Sequence, residues 1–225
     1  MTREEQGATT ALRNGAVHIW TLDLRQAAES EASTRAVRSA RRAHARTQSC
    51  RILARYLGCS PRYVSIERTA NGKPTLDGGK AVDGLSFNLT HSGNLAVMAV
   101  ARGCRVGVDV EQVRPTSGIA ALAARFLSPD EARSIAKKQG AKRGLAFFRT
   151  WSRKEAYLKA MGGRVPADLR RFEVGEVAGG VPRVARTSLE NGDSVFSLHD
   201  LEVAEGYVGA LAVEGGHHQV RYLTA

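Results

Sequence analysis

Short apolar runs alternate with longer helical patterns along this chain. Runs that are apolar, or that alternate between apolar and polar residues, predict strands at 17–22, 63–68, 85–89, 96–101, 106–110, 196–203, 207–213 and 220–223. A period of three to four residues predicts helices at 33–57, 117–126, 129–138 and 142–161. The order strand, helix, strands occurs once on each side of about residue 105. We therefore predict an α+β fold of two similar α/β lobes, 1–105 and 106–225, related by a pseudo-twofold. Each lobe is expected to have a small, mainly antiparallel sheet and a packed long helix, with the active site in the cleft between the lobes.

The first long helix carries much of the excess positive charge. The formal net charge is +11, which indicates an anionic partner: nucleic acid, a phosphorylated small molecule or an acidic protein. Most of the helix arginines are expected on a solvated face. Small residues at steps of three and four predict the face that packs on a sheet, namely Ala36, Ala40, Ala43, Thr47, Cys50, Ala54 and Leu57.

Several classes of protein are disfavoured by composition. The three cysteines, Cys50, Cys59 and Cys104, are odd in number and have no metal-ligand spacing, which argues against a disulfide framework or a zinc site. The first residues contain no apolar segment typical of a signal peptide, and the apolar run at 95–101 is too short to span a bilayer. We expect a cytoplasmic protein with no membrane partner.

Two carboxylates stand at the end of an apolar strand in GVDVE, residues 107–111. Side chains at i and i+2 of a strand share a face, so Asp109 and Glu111 project together and repel unless a cation lies between them. Oxygen ligands of this kind suit Mg²⁺ or Mn²⁺. The alternative is that the strand ends at Asp109 and both acids are the solvated start of a loop leading to Pro115.

A third carboxylate lies in the helix FFRTWSRKEAYLKAM, residues 147–161. Its apolar face is formed by Phe147, Trp151, Leu158 and Met161. Glu155 and Lys159 are neighbours at i and i+4, either as an ordinary surface ion pair or as part of one site with the strand acids.

Five motifs, in order, resemble those of the Sfp-type 4'-phosphopantetheinyl transferases. They are NGKPTL at 71–76, FNLTHSGNLAVMAV at 87–100, GVDVE at 107–111, RFLSPDE at 125–131 and WSRKEAYLKA at 151–160. GVDVE is similar to the family motif (I/V)G(I/V)DxE, and WSRKEAYLKA to WxxKEAxxK. The resemblance covers about Arg46 to Phe172. It implies transfer of the phosphopantetheine arm of coenzyme A to a serine of an acyl or peptidyl carrier protein, with release of 3',5'-ADP.

The resemblance also implies which residues perform the chemistry. Asp109, Glu111 and Glu155 are expected to bind Mg²⁺ or Mn²⁺ in the second lobe, although Glu155 could instead take the proton of the serine. Lys159 is expected to meet the α-phosphate and the leaving group, so Glu155 and Lys159 are the predicted catalytic pair. Glu131 matches a further family acid, or is a first-turn acid after Ser128 that favours the helix dipole.

The same resemblance implies a set of coenzyme A contacts, with the nucleotide held mainly by the first lobe. The predicted contacts are Arg46, Lys73, Thr90, His91, Ser92, Asp109, Lys154 and Lys159. Two of them have ordinary alternatives: Lys73 as an exposed turn lysine, and His91 as a satisfied strand-end histidine. Thr90 stands where the family more often has serine, and its hydroxyl can still form hydrogen bonds.

The implied protein partner is an apo carrier protein, acidic around its modified serine and bound transiently. Arg114 and Arg125, within 112–127, are the predicted docking residues, and the chain is expected to be a monomer. The alternatives are a Mg²⁺-dependent nuclease, a nucleic-acid-binding module without catalysis, and a transferase relative without turnover. A nuclease does not explain the GKP segment, and a binding module lacks aromatic residues among its arginines. The presence of all three motif acids argues against a transferase relative that binds coenzyme A without turnover.

Overall fold

The structure is a computed structural model that describes residues 12–25, 34–70, 72–76, 84–162, 169–176, 182–187, 195–216 and 218–225. Its strands are β1 (Ala16–Asp23), β2 (Ile66–Arg68), β3 (Pro74–Leu76), β4 (Leu85–Ser92), β5 (Leu95–Arg102), β6 (Val106–Gln112), β7 (Phe172–Glu176), β8 (Pro182–Thr187), β9 (Phe196–Leu201), β10 (Tyr207–Glu214) and β11 (Gln219–Thr224). Its helices are α1 (Thr34–Leu57), α2 (Ile119–Phe126), α3 (Pro129–Ala136) and α4 (Gly140–Met161), with short 3₁₀ turns at Pro61–Tyr63 and Leu169–Arg171. No helix in these described ranges is long and apolar enough to cross a membrane.

The strands form two main sheets. The first has the order β11-β1-β5-β4 and the second has the order β6-β10-β9-β8-β7, while β2 and β3 form a separate small ladder. Neighbouring strands are antiparallel except for β1 and β11, which run parallel. The predicted α+β class, with two lobes built from mainly antiparallel sheets and long helices, is confirmed.

The two sheets pack face to face, and each has a long helix on its outer face. Apolar side chains of β1 and β5 meet those of β6 and β10 in one cluster that includes Ile19, Val97, Val108 and Leu211. Successive strand residues point to opposite faces, so the alternate residues of β1 and β5 pack on α1 instead. The alternate residues of β10 pack on α4 in the same way. Burial on both faces explains why β5 is an unbroken apolar run and not an alternating one.

The face of α1 that packs on the first sheet differs in part from the predicted one. The residues buried there are Ala45, Ser49, Ile52, Leu53 and Ala54. The prediction is confirmed for Cys50, Ala54 and Leu57, which pack in the apolar cluster between α1 and the first sheet, and is wrong for Ala36, Ala43 and Thr47, which are exposed. The packed face also includes Ile52 and Leu53, because burying these larger side chains removes more apolar area from water than burying alanines does.

The last strand crosses the predicted lobe boundary. The strand β11 pairs with β1, with Ala16 opposite Gln219 and His18 opposite Arg221. The division at residue 105 assigned β11 to the second lobe, whereas its backbone hydrogen bonds lie in the first sheet. The strands β3, β7 and β8 were not predicted, and only 66–68 of the strand predicted at 63–68 is extended.

Candidate active site

The site lies where α4 packs on the second sheet beside β6. Along β6, the valines 106, 108 and 110 face the first sheet, and Gly107, Asp109 and Glu111 occupy the alternate face toward α4. Ser152 of α4 donates a hydrogen bond from Oγ to the backbone oxygen of Asp109, at 3.2 Å. This contact fixes the helix against the strand at the carboxylate position.

Asp109 is at the centre of the site. Its side chain is buried at 3% exposure, and β6 continues beyond it to Gln112, so the alternative of a solvated loop start is wrong. Lys159 Nζ donates to Asp109 Oδ1 at 2.6 Å, and the Thr90 hydroxyl donates to the same oxygen at 3.2 Å. Lys159 Nζ also donates to Thr90 Oγ1, at 3.2 Å. Oδ2 of Asp109 is buried and has no hydrogen-bond partner.

The other two predicted metal ligands lie in the same cavity as Asp109. Glu111 Oε2 accepts a hydrogen bond from Ser92 Oγ at 2.9 Å. Glu155 is buried, and its Oε2 lies 3.9 Å from Lys159 Nζ. An exposed surface pair was the alternative for Glu155 and Lys159, and the 8% exposure of Glu155 rules it out.

The carboxylates outnumber the cations that pair with them. Of the described residues, only Lys159 forms an ion pair with any of the three acids. Burial raises the pKa of Glu155 to about 7, against the opposing effect of Lys159 and with further contributions from Asp109 and Glu111. Burial, and next the charge of Asp109, also raises the pKa of Glu111. Burial disfavours the charged form of Lys159, but Asp109 and Glu155 outweigh it and raise the lysine pKa. The electrostatics of this group therefore favour a further cation.

The donor atoms suit a hard divalent cation. All three acids supply oxygen, and Asp109 Oδ2 is a buried oxygen without a partner. Within the described ranges, no group of three or more His, Cys, Asp or Glu side chains is arranged to hold a metal ion by itself. Mg²⁺ commonly binds through one or two carboxylates and completes its shell with water and substrate phosphate. The residues therefore fit Mg²⁺ that is bound together with a phosphorylated substrate.

The same cavity, of about 1060 Å³, has a basic wall contributed by the first lobe. Its cationic or basic side chains are Arg42, Arg46, Arg68, Lys73 and His91. Arg46 is anchored by a hydrogen bond from its guanidinium to the oxygen of Ile66, at 2.9 Å. Residues of both sequence halves thus line one cavity, which includes the predicted Arg46, Lys73, Thr90 and His91.

Lys73 lies on a turn whose backbone is fixed by side chains. Gly72 has a φ of 81°, which glycine adopts without strain, and its oxygen accepts a hydrogen bond from Arg68 at 2.8 Å. The backbone N–H of Lys73 donates to Thr69 Oγ1 at 3.1 Å. Burial, with a smaller effect from Arg105, lowers the pKa of Lys73. Lys73 is half-buried, so it differs from the exposed turn lysine that was its alternative.

Lys154 does not lie with the other predicted contacts. Its side chain is fully buried, pairs with Glu131 and donates to the backbone oxygen of Phe172 at 2.6 Å. Lys154 is absent from the lining of the cavity. The structure therefore contradicts a contact between Lys154 and coenzyme A, because α4 directs this side chain toward α3 and β7. Glu131 forms a reciprocal capping box with Ser128 and accepts from the N–H of Val174 at 2.9 Å, which matches the structural alternative for this acid.

Sequence reasoning missed Asn88. It is buried, and its Oδ1 accepts a hydrogen bond from the backbone N–H of Val108 at 2.9 Å. Thr90 and Ser92 follow it at steps of two on β4 and bond to Asp109 and Glu111. A sequence pattern could have identified Asn88, because polar residues stand at every second position of a strand that is otherwise mostly apolar. This polar row joins the two sheets at the site.

Comparisons with known proteins find sequence relatives of this chain. Residues 105–212 match the 4'-phosphopantetheinyl transferase superfamily, and residues 26–103 match the family described as 4'-phosphopantetheinyl transferase, N-terminal. The 4'-phosphopantetheinyl transferase HetI of Nostoc sp. is 37% identical over 171 residues, which cover 76% of this chain and 69% of HetI. The 4'-phosphopantetheinyl transferase psf-1 of Bacillus pumilus is 34% identical over 139 residues, covering 62% of this chain and 52% of psf-1. Among solved structures, holo-[acyl-carrier-protein] synthase from Neisseria meningitidis aligns with a TM-score of 0.40 and 24% identity, over 50% of this chain and 98% of that one.

Proposed function

The chain belongs to the 4'-phosphopantetheinyl transferase superfamily, and from that membership we propose its reaction. The protein transfers the 4'-phosphopantetheine group of coenzyme A to a serine of an acyl or peptidyl carrier protein, in a Mg²⁺-dependent reaction that releases 3',5'-ADP. The observation that carries the proposal is the cavity between the lobes, in which Asp109, Glu111 and Glu155 lie together with a basic wall. Binding of a pyrophosphate requires both the acids and the basic wall. The acids hold a divalent metal, and the pyrophosphate oxygens bind this metal and the cationic side chains.

The basic wall is the proposed site of the coenzyme A phosphates. Arg46, Lys73 and His91 line it, and the cavity volume of about 1060 Å³ is just above the usual range for small-molecule sites. The guanidinium of Arg46 suits bidentate contact with phosphate, and the ammonium of Lys73 acts as a point charge on a fixed turn. Thr90 and Ser92 act through the carboxylates they bond, so we assign them to positioning these acids beside the nucleotide.

Asp109, Glu111 and Glu155 are the proposed ligands of Mg²⁺, and Mn²⁺ suits the same oxygen donors. When bound, the metal neutralises and orients the pyrophosphate oxygens. The protein holds the Asp109 carboxylate in place through hydrogen bonds from Lys159 and Thr90 to one oxygen. The other oxygen, Oδ2, has no partner.

The remaining requirements are a cation for the leaving group and an acceptor for the serine proton. Lys159 lines the cavity with its ammonium on Asp109, where it can stabilise the charge that develops on the departing phosphate. Glu155 is proposed as the third metal ligand, and the alternative is that its carboxylate takes the serine proton. Mg²⁺ titration of Glu155→Gln by calorimetry in the presence of 3',5'-ADP separates these roles, because loss of a ligand should weaken metal binding much more than loss of a nearby charge.

The test of the reaction uses the intact mass of an apo carrier protein. Incubation with this protein, coenzyme A and Mg²⁺ should add one phosphopantetheine group, and EDTA should prevent the addition. Several carriers are needed, drawn from fatty-acid, polyketide and nonribosomal-peptide assembly. No mass gain on any of them would overturn the proposal, and tighter binding to random duplex DNA than to coenzyme A would favour the nucleic-acid alternative.

Carrier docking is proposed at Arg114 and Arg125. Both are exposed, and Arg125 lies in α2 with its guanidinium 5.0 Å from the centroid of the Phe126 ring. Basic side chains here would attract an acidic carrier and act mainly on its association rate. Charge reversal at these two positions should raise the KM for carrier with little change in kcat, whereas Arg170→Glu in the second lobe should not. An unchanged KM for carrier would remove this surface from the proposal.

A further inference from the structure

A second cavity, of about 360 Å³, lies where β1 and β11 pair. Its lining shares no residue with the proposed active site. The walls come from the turn before β1 and from β11, where His18 stands opposite Arg221 in the parallel register. Residues of this cavity have no part in the proposed transfer reaction.

The backbone of this cavity is fixed from both sides. The N–H of Ala16 donates to the oxygen of Arg13 at 3.1 Å, and the N–H of Gln219 donates to the oxygen of Gly15 at 2.9 Å. Gly15 has a φ of 81°, which closes the turn that carries Arg13. Arg13 and Arg221 are therefore brought to the wall of one cavity by hydrogen bonds within the fold.

His18 lines the cavity with a polar atom that has no partner. The residue is 1% exposed, and its Nε2 is buried without a hydrogen bond. Its Nδ1 lies 2.8 Å from the hydroxyl oxygen of Tyr56, which also accepts a hydrogen bond from Trp20 Nε1 at 2.7 Å. Tyr56 can donate its hydroxyl proton to Nδ1 of His18 while its oxygen accepts from the indole. In the tautomer that accepts this proton at Nδ1, the imidazole proton is on Nε2, which is then a buried donor without a partner.

The cations of this cavity also lack a counter-charge. No acidic side chain in the described part of the chain forms an ion pair with Arg13 or Arg221. Both arginines are exposed at the cavity mouth, while His18 lies in its wall. Burial, and next the charge of Arg221, lowers the pKa of His18, which favours the neutral imidazole. The cavity offers hydrogen-bond donors and positive charge, which is the chemistry of an anion site.

We propose that this cavity binds a phosphate group, either as inorganic phosphate or as a small phosphomonoester, through Arg13, Arg221 and Nε2–H of His18. Donors from three separate positions match a tetrahedral oxyanion, which presents oxygens in several directions, better than a planar carboxylate. The volume leaves room for a small organic group attached to the phosphate. The bound anion joins β1 to β11 and thereby holds β11 on the first sheet.

The test follows the imidazole of His18 by ¹H–¹⁵N NMR, with its signal assigned from its loss in His18→Gln. Inorganic phosphate should shift this signal saturably, and Arg13→Gln or Arg221→Gln should each weaken the apparent affinity about tenfold or more. Arg170→Gln removes the same charge from an exposed position outside the cavity and should leave the affinity unchanged. Circular dichroism checks that each variant is folded.

A second ligand identifies the source of the phosphate group. Glycerol 3-phosphate that binds more tightly than inorganic phosphate indicates a small phosphorylated molecule, and equal or weaker binding indicates inorganic phosphate. Absence of a saturable shift at millimolar concentrations of both ligands would overturn the proposal. The same conclusion follows if Arg221→Gln binds phosphate as tightly as the unaltered chain, because the phosphate would then be bound elsewhere. Phosphate can also bind in the larger cavity, and Lys73→Gln should abolish that binding. The same variant should leave the phosphate-dependent shift of the His18 signal unchanged.

Discussion

A Cβ atom added to Gly107 would lie 2.2 Å from the backbone oxygen of Ala156, so β6 and α4 meet backbone to backbone at this point. The same atom would lie 2.3 Å from the nitrogen of Ala160. Glu155 and Lys159 immediately precede these two contact residues on α4, and Asp109 stands two residues beyond Gly107 on the same face of β6. The glycine of the GVDVE motif therefore sets the separation of the three functional side chains.

Gly107→Ala should destabilise the protein by about 3 kcal/mol, because the added methyl group meets backbone that cannot move without shifting α4. Urea unfolding measures the loss. Gly144→Ala is a matched control within α4, where an added Cβ has no atom within 4 Å, and it should stabilise by about 0.5–1 kcal/mol. If Gly107→Ala is as stable as the unaltered chain, the close approach of α4 does not exist.

Asp109→Asn should reduce phosphopantetheine transfer by about a hundredfold or more, because it removes a proposed metal ligand and the counter-charge of Lys159. Initial rates of carrier modification give the effect, and circular dichroism shows whether the fold is retained. Asp130→Asn, an exposed acid paired with Arg133, is the control and should keep full activity. Transfer at the normal rate by Asp109→Asn would place the metal site elsewhere.

The parts of the site that could be predicted from the sequence are those that depend on local patterns such as the GVDVE motif. Alternation along β6 correctly put Asp109 and Glu111 on one face, and the i,i+4 spacing put Glu155 beside Lys159. Both are local periodicities, which a single sequence contains. The assignment of monomer state, cytoplasmic location and carrier docking stays a prediction.

The features that could not be predicted from the sequence depend on how segments distant in the chain are placed relative to one another. Lys154 and Lys159 stand in one motif, yet α4 turns Lys154 toward Glu131 and Lys159 toward Asp109. Choosing between them requires the rotation of α4 about its axis, which packing decides. The pairing of β11 with β1 is a contact between the two ends of the described chain, and no local pattern encodes it.

Glu131→Gln should cost about 3–5 kcal/mol of stability, because it leaves the ammonium of Lys154 buried without a charged partner. Burial already lowers the pKa of Lys154, and Glu131 opposes that effect. The double variant Glu131→Gln, Lys154→Met should recover much of the loss, since it removes the buried charge itself. Chemical denaturation of the two variants provides the comparison, and Asp130→Asn should change stability by less than about 1 kcal/mol. Equal stability of the single variant and the unaltered chain would show that the pair is not buried as described.

Acid should destabilise the fold through His18. Burial, with Arg221 as the second cause, lowers the pKa of His18 below its ordinary value of 6.5, while its side chain contacts Tyr56. The unfolded chain therefore binds a proton that the folded chain does not, so stability is present above pH 6.5 and is lost as the pH falls toward the folded-state pKa.

The contribution of His18 is at most about 1.4 kcal/mol for each pH unit below 6.5. Urea unfolding between pH 7 and pH 5 in phosphate-free buffer should show a smaller loss for His18→Gln than for the unaltered chain, because glutamine does not titrate. His91→Gln removes an exposed histidine and should retain the pH dependence of the unaltered chain. Equal pH dependence of His18→Gln and the unaltered chain would mean that His18 takes up a proton in the folded state as readily as in the unfolded chain, and that burial does not lower its pKa.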